Sequence, residues 1–140
     1  MSNTSPAYML IFRETTPERY AAMSKDELRQ ALRNWNAWCD ELAAAGKLRA
    51  GNPLFPEARV VSGAAVYSVV DGPFAEAKER IGVSLLLDAA TLVEATEIAR
   101  RCPNLPFGME VEIRTVAGGC HLARSLGLST MREPEAAPSP

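Results

Sequence analysis

The residues with the clearest capacity for chemistry lie in one stretch in the middle of the chain, residues 71–79. Asp71 supplies a carboxylate, and Phe74 supplies a large apolar side chain three residues later. A carboxylate that an apolar neighbour partly removes from water holds its proton more tightly and can act as a general acid or base. The alternative is structural: the aspartate accepts hydrogen bonds from backbone N–H groups and holds a turn, while the phenylalanine fills a pocket.

Glycine and proline predict that the chain turns within this stretch. Gly72 tolerates a positive φ, and Pro73 fixes its own φ and has no N–H to donate. We therefore expect a strand to end near Val70 and a turn to begin at Asp71. If Asp71 is catalytic, the predicted ligand-binding residues are its neighbours and two tryptophans: Trp35, Trp38, Gly72, Pro73, Phe74 and Lys78.

The sequence offers no second type of chemistry. Cys39, Cys102 and Cys120 are far apart and form no C-x-x-C pair, so neither a zinc site nor a redox dithiol is predicted. There is no glycine-rich phosphate loop and no nucleophile motif. We therefore predict a protein without a metal or a cofactor.

Composition indicates one globular domain. The chain has 140 residues, a net charge of −2 and 47% hydrophobic residues, which suits a single core. The weak charge gives no reason to expect binding to nucleic acid or to an anionic membrane. No apolar run approaches the roughly 20 residues of a membrane span. Residues 1–6 lack the apolar stretch of a secretory signal, so a cytoplasmic location is expected.

Two helices are predicted from capping residues and apolar periodicity. Ser24 and Glu27 have the spacing of a capping box, and Gly46 is suited to end the helix that they begin. Its apolar stripe contains Leu28, Leu32, Trp35, Cys39 and Leu42, widened by Trp38. The tryptophans fit either core packing or a ligand-binding wall. A second helix begins after Thr91 and stops before Pro103, with these residues inward: Leu92, Ala95, Ile98, Ala99 and Cys102.

Short apolar or alternating runs predict the strands. Four are expected at residues 7–13, 47–52, 81–88 and 109–116, and a hairpin is expected from 59–61 and 65–70. The domain then spans residues 7–116. We expect residues 1–6 to be flexible and the tail 117–140 to be partly disordered or docked on a dimer.

In sequence order these elements give an α+β plan of strand–helix–strand, hairpin, strand–helix–strand. Right-handed crossovers place both helices on one face of an antiparallel sheet, a ferredoxin-like arrangement with an inserted β-hairpin. The strands at 8–12 and 83–87 are apolar on both faces, although two helices cover one face. We therefore expect a second copy to bury the other face, giving a homodimer in the form of a dimeric α+β barrel with clefts at its ends.

The same central stretch carries a family resemblance. It resembles the signature of DGPF-domain proteins, a branch of the YCII-related family, in the run Asp71-Gly72-Pro73-Phe74-Ala75-Glu76-Ala77-Lys78-Glu79 followed by Ile81-Gly82. Further similarity lies in the strand at 8–11, in residues 42–51 and in 101–103, so the resemblance covers roughly 8–116. It implies a dimeric α+β barrel and a bacterial protein of uncharacterised activity, with some members linked to alternative sigma factors.

For catalysis the resemblance implies less. Some members of the wider family are proposed to be enzymes that use a histidine–aspartate pair in the dimer cleft. Here residues 29–38, where that histidine would fall, contain none, and His121 lies outside the matched region. Asp71 is the motif residue that remains, and Val83 stands where the family usually has glycine.

Three functions stay open on the sequence. The first is the binding or conversion of a small molecule in a dimer cleft lined by Trp35, Trp38, Phe74 and Asp71, by cofactor-independent acid–base chemistry if the protein is an enzyme. The second is a regulatory protein-interaction module associated with an alternative sigma factor, with residues 117–140 as its docking arm. The third is a dimer whose motif is purely structural.

Overall fold

The computed structural model describes residues 6–16, 18–63, 67–72 and 80–131, and it confirms the α+β plan. The strands are β1 (Ala7–Glu14), β2 (Leu48–Pro53), β3 (Ala58–Gly63), β4 (Tyr67–Gly72), β5 (Arg80–Asp88) and β6 (Met109–Thr115). Four of them form an open antiparallel sheet in the order β2-β5-β1-β6, and β3 and β4 form a separate hairpin.

The two predicted helices begin where their capping residues indicated. They are α1 (Glu18–Ala21), α2 (Lys25–Ala44), α3 (Leu92–Arg100), the 3-10 helix Leu105–Phe107, and α4 (His121–Ser125). The Ser24 hydroxyl accepts a hydrogen bond from the Glu27 N–H at 3.1 Å, and the Glu27 carboxylate accepts one from the Ser24 N–H at 3.1 Å. At the start of α3 the Thr91 hydroxyl accepts a hydrogen bond from the Glu94 N–H, but the Glu94 carboxylate accepts one from the Ala90 N–H and not from Thr91. The short helix α1 lies between the first predicted strand and the first predicted helix and was not predicted.

Burial alternates along β1 and shows which face of the sheet carries the helices. Leu10 and Phe12 are fully buried, whereas Met9 between them is 37% exposed. The buried set packs against Trp38 and Leu42 of α2 and against Ala99 of α3. Both helices therefore cover the same face, and they leave the face that carries Met9 uncovered by either helix.

The predicted helix stripes are only partly buried. Trp38 and Leu42 lie in the core, but Leu32 is 59% exposed and Leu28 is also exposed. On α3, Leu92 is 50% exposed, so its predicted inward orientation is wrong. The core side of α3 is formed by small residues, Ala95 and Ala99, which let the helix lie close to the sheet.

The open face of the sheet mixes apolar and paired charged side chains. Met9 lies opposite Leu86 in the β1/β5 register, with Ile11 two residues further along. Around them, Arg13 pairs with Glu112 at 2.6 Å and Arg49 pairs with Asp88. A homodimer through this face stays a prediction.

The hairpin extends further than predicted. Its ladder runs from Gly63↔Tyr67 to Ala58↔Gly72, so that Asp71 lies opposite Arg59 within β4. The expected strand end near Val70 is therefore wrong by two residues, because backbone pairing with β3 continues to Gly72.

After β6, the chain folds back on itself around α4. The Cys120 N–H donates a hydrogen bond to the Met131 sulfur at 3.0 Å. A Cβ at Gly118 would lie 2.5 Å from the Ser129 carbonyl oxygen, so the two segments touch closely there. Among the residues described, no helix has the length and apolar character that crossing a membrane requires.

Candidate functional site

A pocket of about 260 Å³ lies between the first half of α2 and the end of the sheet where β1 finishes and β5 starts. We call it the strand-end pocket. Its apolar wall is formed by Leu28, Ala31, Leu32, Trp35, Val83 and Met109. Its polar lining residues are Glu14, Tyr20 and Asn104. Apolar walls with a few convergent polar groups are typical of small-molecule sites.

Hydrogen bonds fix the polar side of this pocket across distant parts of the chain. The Gly108 carbonyl oxygen accepts from the Thr15 N–H at 3.0 Å and from the Thr15 hydroxyl at 2.5 Å. The Arg19 guanidinium donates to the Pro106 carbonyl oxygen at 2.5 Å. The segment that carries Glu14 and Tyr20 is thereby tied to the 3-10 helix that follows Asn104.

The Glu14 carboxylate lies over Gly82. A Cβ on Gly82 would be 3.3 Å from the Glu14 Oε1, closer than an ordinary contact, so the glycine leaves room for the carboxylate. Gly82 also falls where the β1/β5 register shifts, between Phe12 and Arg13. Among the described residues, Glu14 has no ion-pair or hydrogen-bond partner at its side chain.

Tyr20 provides a phenol beside this carboxylate. Burial, followed by the negative charge of Glu14 and then by Cys102, raises the pKa of Tyr20 above its ordinary value. The hydroxyl therefore stays protonated and can donate a hydrogen bond at neutral pH. The Tyr20 ring is held by Phe107, whose centroid is 6.5 Å away.

Two polar atoms near this end of the sheet are buried without partners. They are the Asn104 Oδ1 and the Thr16 hydroxyl oxygen. Thr16 stands over Gly108, where a Cβ would be 1.7 Å from its hydroxyl oxygen. A buried acceptor without a donor is costly, and Asn104 is also one of the lining residues of the strand-end pocket.

The two tryptophans that the sequence singled out have different surroundings. Trp35 lines the strand-end pocket, whereas Trp38 is 6% exposed and belongs to the core. Phe12 contacts both rings edge-on, at centroid distances of 5.2 Å to Trp35 and 6.1 Å to Trp38. The pocket wall is therefore an extension of the buried aromatic cluster.

The predicted motif is attached to the same end of the sheet. β4 ends at Gly72 and β5 begins at Arg80, which lies opposite Glu14 in the register. Pro73, Phe74 and Lys78 lie outside the described residues, as does the rest of 73–79. The backbone of Asp71 is placed in β4, and its catalytic role stays a prediction.

A second groove, of about 370 Å³, lies between the end of α2 and α3. Trp38, Leu42 and Ile98 line its apolar part. Its Lys47 and Glu94 already form an ion pair at 2.6 Å. The hydrogen bond from Lys47, aided by the Ala90 N–H, holds the pKa of Glu94 below its ordinary value. Lys47 and Glu94 therefore already satisfy each other within this groove.

The cysteines differ in environment. Burial raises the pKa of the Cys102 thiol to about 11, and burial also raises the pKa of Cys39. At the start of α4 the backbone N–H groups of Ala123 and Leu122 lower the pKa of Cys120. Within the described part of the chain, no cluster of histidine, cysteine and carboxylate side chains is arranged to hold a metal ion.

Sequence reasoning missed the polar lining of the pocket. Glu14, Tyr20 and Asn104 are far apart in the chain, and the tertiary fold brings them together. A weak signal was available in the charged residues that end an apolar strand, since Arg13 and Glu14 follow the apolar run at residues 7–12.

Comparison with known proteins places the chain in a family. A family model described as the YCII-related domain matches residues 7–117. The chain is also 35% identical, over 101 residues, to an uncharacterised protein of Rhizobium meliloti (strain 1021), which covers 69% of this chain and 82% of that protein. The match spans the sheet, both covering helices and the strand-end pocket, and the chain therefore belongs to the YCII-related family.

Proposed function

We propose that this protein binds or converts a small molecule in the strand-end pocket, by acid–base chemistry that needs no cofactor. The observation that carries the proposal is an apolar pocket with three polar lining residues. Glu14 has no side-chain partner among the described residues, the buried Oδ1 of Asn104 has none, and the Tyr20 hydroxyl lies beside them. The motif supports the location, because its last residue precedes Arg80, which lies opposite Glu14. Asp71 is the proposed motif carboxylate that joins this site.

The first test is a thermal-shift screen of a metabolite library with the wild type and with Leu32→Trp. Leu32 lines the pocket and is largely exposed, so a tryptophan there fills the pocket at little cost to the core. Leu122→Trp, at a similarly exposed leucine of α4, is the matched control. Ligands should stabilise the wild type and the control but not Leu32→Trp. A ligand that stabilises all three equally binds elsewhere.

Asp71→Asn tests the motif carboxylate in the same screen. If Asp71 belongs to the site, the variant should lose ligand stabilisation while its own melting temperature stays near that of the wild type. Asp26→Asn is the control, since Asp26 is exposed in the first turn of α2. A variant that melts several degrees lower but keeps its ligand would make Asp71 a structural cap.

We propose further that the protein is a homodimer with a ferredoxin-like sheet in each subunit, the two sheets facing each other as a dimeric α+β barrel. The support is the open face, where Met9, Ile11 and Leu86 lie side by side without a covering helix. Met9→Lys should convert the dimer to a monomer, because it buries a charge in the interface. Val93→Lys on exposed α3 should not. A wild-type monomer at micromolar concentration in sedimentation velocity would refute the dimer.

A regulatory interaction module, acting with a sigma factor, is the second candidate. One observation favours it: Leu122 on α4 and Leu126, which follows that helix, are 68% and 69% exposed. Removal of the residues after Ala117 separates the candidates. Loss of partner capture with retained ligand binding supports a docking arm, and loss of ligand binding with retained capture supports the pocket.

A further inference from the structure

We propose that the ligand of the strand-end pocket is a small primary amine, bound as its ammonium ion with an apolar body. This inference rests on the proposed function and names the ligand class of the same site. Three observations support it: the sign of the charge in the pocket, the type of its unsatisfied polar atoms, and its size.

The charge in the pocket lining is negative. Among the described lining residues, Glu14 is the only carboxylate and none is basic, and the raised pKa of Tyr20 keeps its phenol neutral. Two nearby cations whose side chains the structure describes have partners of their own: Arg13 pairs with Glu112, and Arg19 donates to the Pro106 carbonyl. An anionic ligand would meet a like charge in a partly desolvated site, whereas a cation would find a partner there.

The unsatisfied atoms of the pocket are acceptors. The Asn104 Oδ1 is buried without a hydrogen-bond partner, and the Glu14 carboxylate has none among the described residues. A primary ammonium has three donors and no acceptor, so it can satisfy both groups and still bond to water or to the Tyr20 oxygen. A ligand hydroxyl offers one donor and leaves one of the two acceptors unpaired, which costs affinity.

The aromatic walls and the volume of the pocket indicate the size and the polarity of the remaining part of the ligand. Trp35 and Tyr20 are aromatic neighbours of the carboxylate, and a cation over an aromatic face gains further attraction. A cavity of about 260 Å³ holds the liquid volume of roughly nine water molecules. The body of the ligand is therefore short and apolar, such as a phenyl ring or a chain of a few carbons facing Leu32.

The test compares three probes of matched size: 2-phenylethylamine, 2-phenylethanol and 3-phenylpropanoate. Affinity is measured by calorimetry on the full chain at neutral pH and low salt. We expect the amine to bind at least tenfold more tightly than the alcohol, and the carboxylate to bind most weakly. Equal or tighter binding of the alcohol or the carboxylate would overturn the amine assignment.

Two variants locate the effect. Glu14→Gln keeps the shape of the side chain and removes its charge, and it should weaken amine binding at least tenfold while changing alcohol binding less than twofold. Glu110→Gln, an exposed carboxylate on the opposite face of the sheet, should leave both affinities within twofold. Asn104→Ala should weaken amine binding several-fold. It provides a second, independent test of the proposal in case the Glu14→Gln variant does not fold. Unchanged amine affinity in Glu14→Gln refutes the proposal.

The outcomes separate this inference from the function on which it rests. If the alcohol or the carboxylate binds and Leu32→Trp abolishes that binding, the pocket is a ligand site and the amine class is wrong. If none of the three probes binds at millimolar concentration, the amine assignment fails, and the library screen alone then decides whether the pocket binds another class.

Discussion

The aromatic contact at Phe12 joins the core to the pocket wall, and its removal should weaken both. Phe12 is fully buried, and its ring meets Trp35 and Trp38 edge-on with interplanar angles of 80°. Edge-to-face pairs contribute about 0.5–1.5 kcal/mol each beyond their buried area, so the two contacts together contribute about 1–3 kcal/mol. Phe12→Leu keeps an apolar side chain in place and loses both contacts. We therefore expect it to lower the free energy of unfolding by about 1–3 kcal/mol.

Complete removal of the Phe12 ring should give the largest loss of stability among these variants. Phe12→Ala leaves a cavity and should cost about 3–5 kcal/mol, a large fraction of the stability of a domain of this size. The control is Phe107→Leu, the same change at a partly exposed ring with one tilted neighbour at 6.5 Å, which should cost less than Phe12→Leu.

Urea unfolding followed by tryptophan fluorescence is the assay, because both tryptophans of the chain adjoin Phe12. The midpoint should move and the slope should stay constant if only stability changes. A cost for Phe12→Leu no larger than that of Phe107→Leu would refute the argument that edge-on ring contacts stabilise this corner.

Three further predictions concern the rest of the fold. Iodoacetamide at mildly alkaline pH should label Cys120 first and Cys102 last, as followed by mass spectrometry, because the thiolate is the reactive form; equal rates would contradict the order. Gly108→Ala places a side chain on a left-handed backbone (φ 86°), which destabilises by about 1–2 kcal/mol, and the new Cβ also collides with Thr16. Gly127→Ala is the control, because Gly127 has a similar φ and open space around it. The melting temperature of Gly108→Ala should therefore fall further than that of Gly127→Ala. The pKa of Glu94 is lowered in the folded state, so its ion pair stabilises the protein at pH values above the ordinary carboxyl pKa, and this stabilisation is lost as the pH falls through the lowered pKa. Glu94→Gln should therefore melt at a lower temperature than the wild type at neutral pH, and the two melting temperatures should converge in acid. A difference that stays constant with pH would contradict this.

Local patterns predicted most of the fold because local interactions decide it. The capping box of Ser24 and Glu27 forms as the spacing predicted, since both of its hydrogen bonds lie within one helical turn. The alternation Met109, Val111, Ile113 against Glu110 and Glu112 likewise sets which side of β6 meets the core, because strand side chains alternate.

Errors arose where the neighbour of a side chain decides its burial. Periodicity shows that Leu28 and Leu32 point the same way as Leu42, but it cannot show whether anything lies opposite them. Leu42 faces the sheet and is buried, whereas Leu28 and Leu32 face the strand-end pocket and stay exposed. The same stripe therefore forms core at one end of α2 and a pocket wall at the other.

The polar lining of the pocket could not be predicted from the sequence for a related reason. Glu14, Tyr20 and Asn104 are separate in sequence, and each is an ordinary residue in its local context. Tyr20 lies on a four-residue helix without an apolar stripe, so no periodicity marks it. Tertiary contacts, such as the hydrogen bonds of Thr15 to the Gly108 carbonyl and of Arg19 to the Pro106 carbonyl, bring the three groups to one place.

Gly82 connects the sequence motif to the pocket more directly than the turn residues do. If the motif served only to turn the chain between β4 and β5, position 82 would lie beyond it and would accept most residues in an antiparallel strand. Instead, Gly82 stands at the register shift with Phe12 and Arg13, and a side chain there would press on the Glu14 carboxylate. Arg80, the residue that follows the motif, also lies opposite Glu14 in the register, so the chain leaves the motif beside the pocket carboxylate. The room that the backbone leaves for this carboxylate, which has no partner among the described residues, therefore supports our proposal that it serves a ligand.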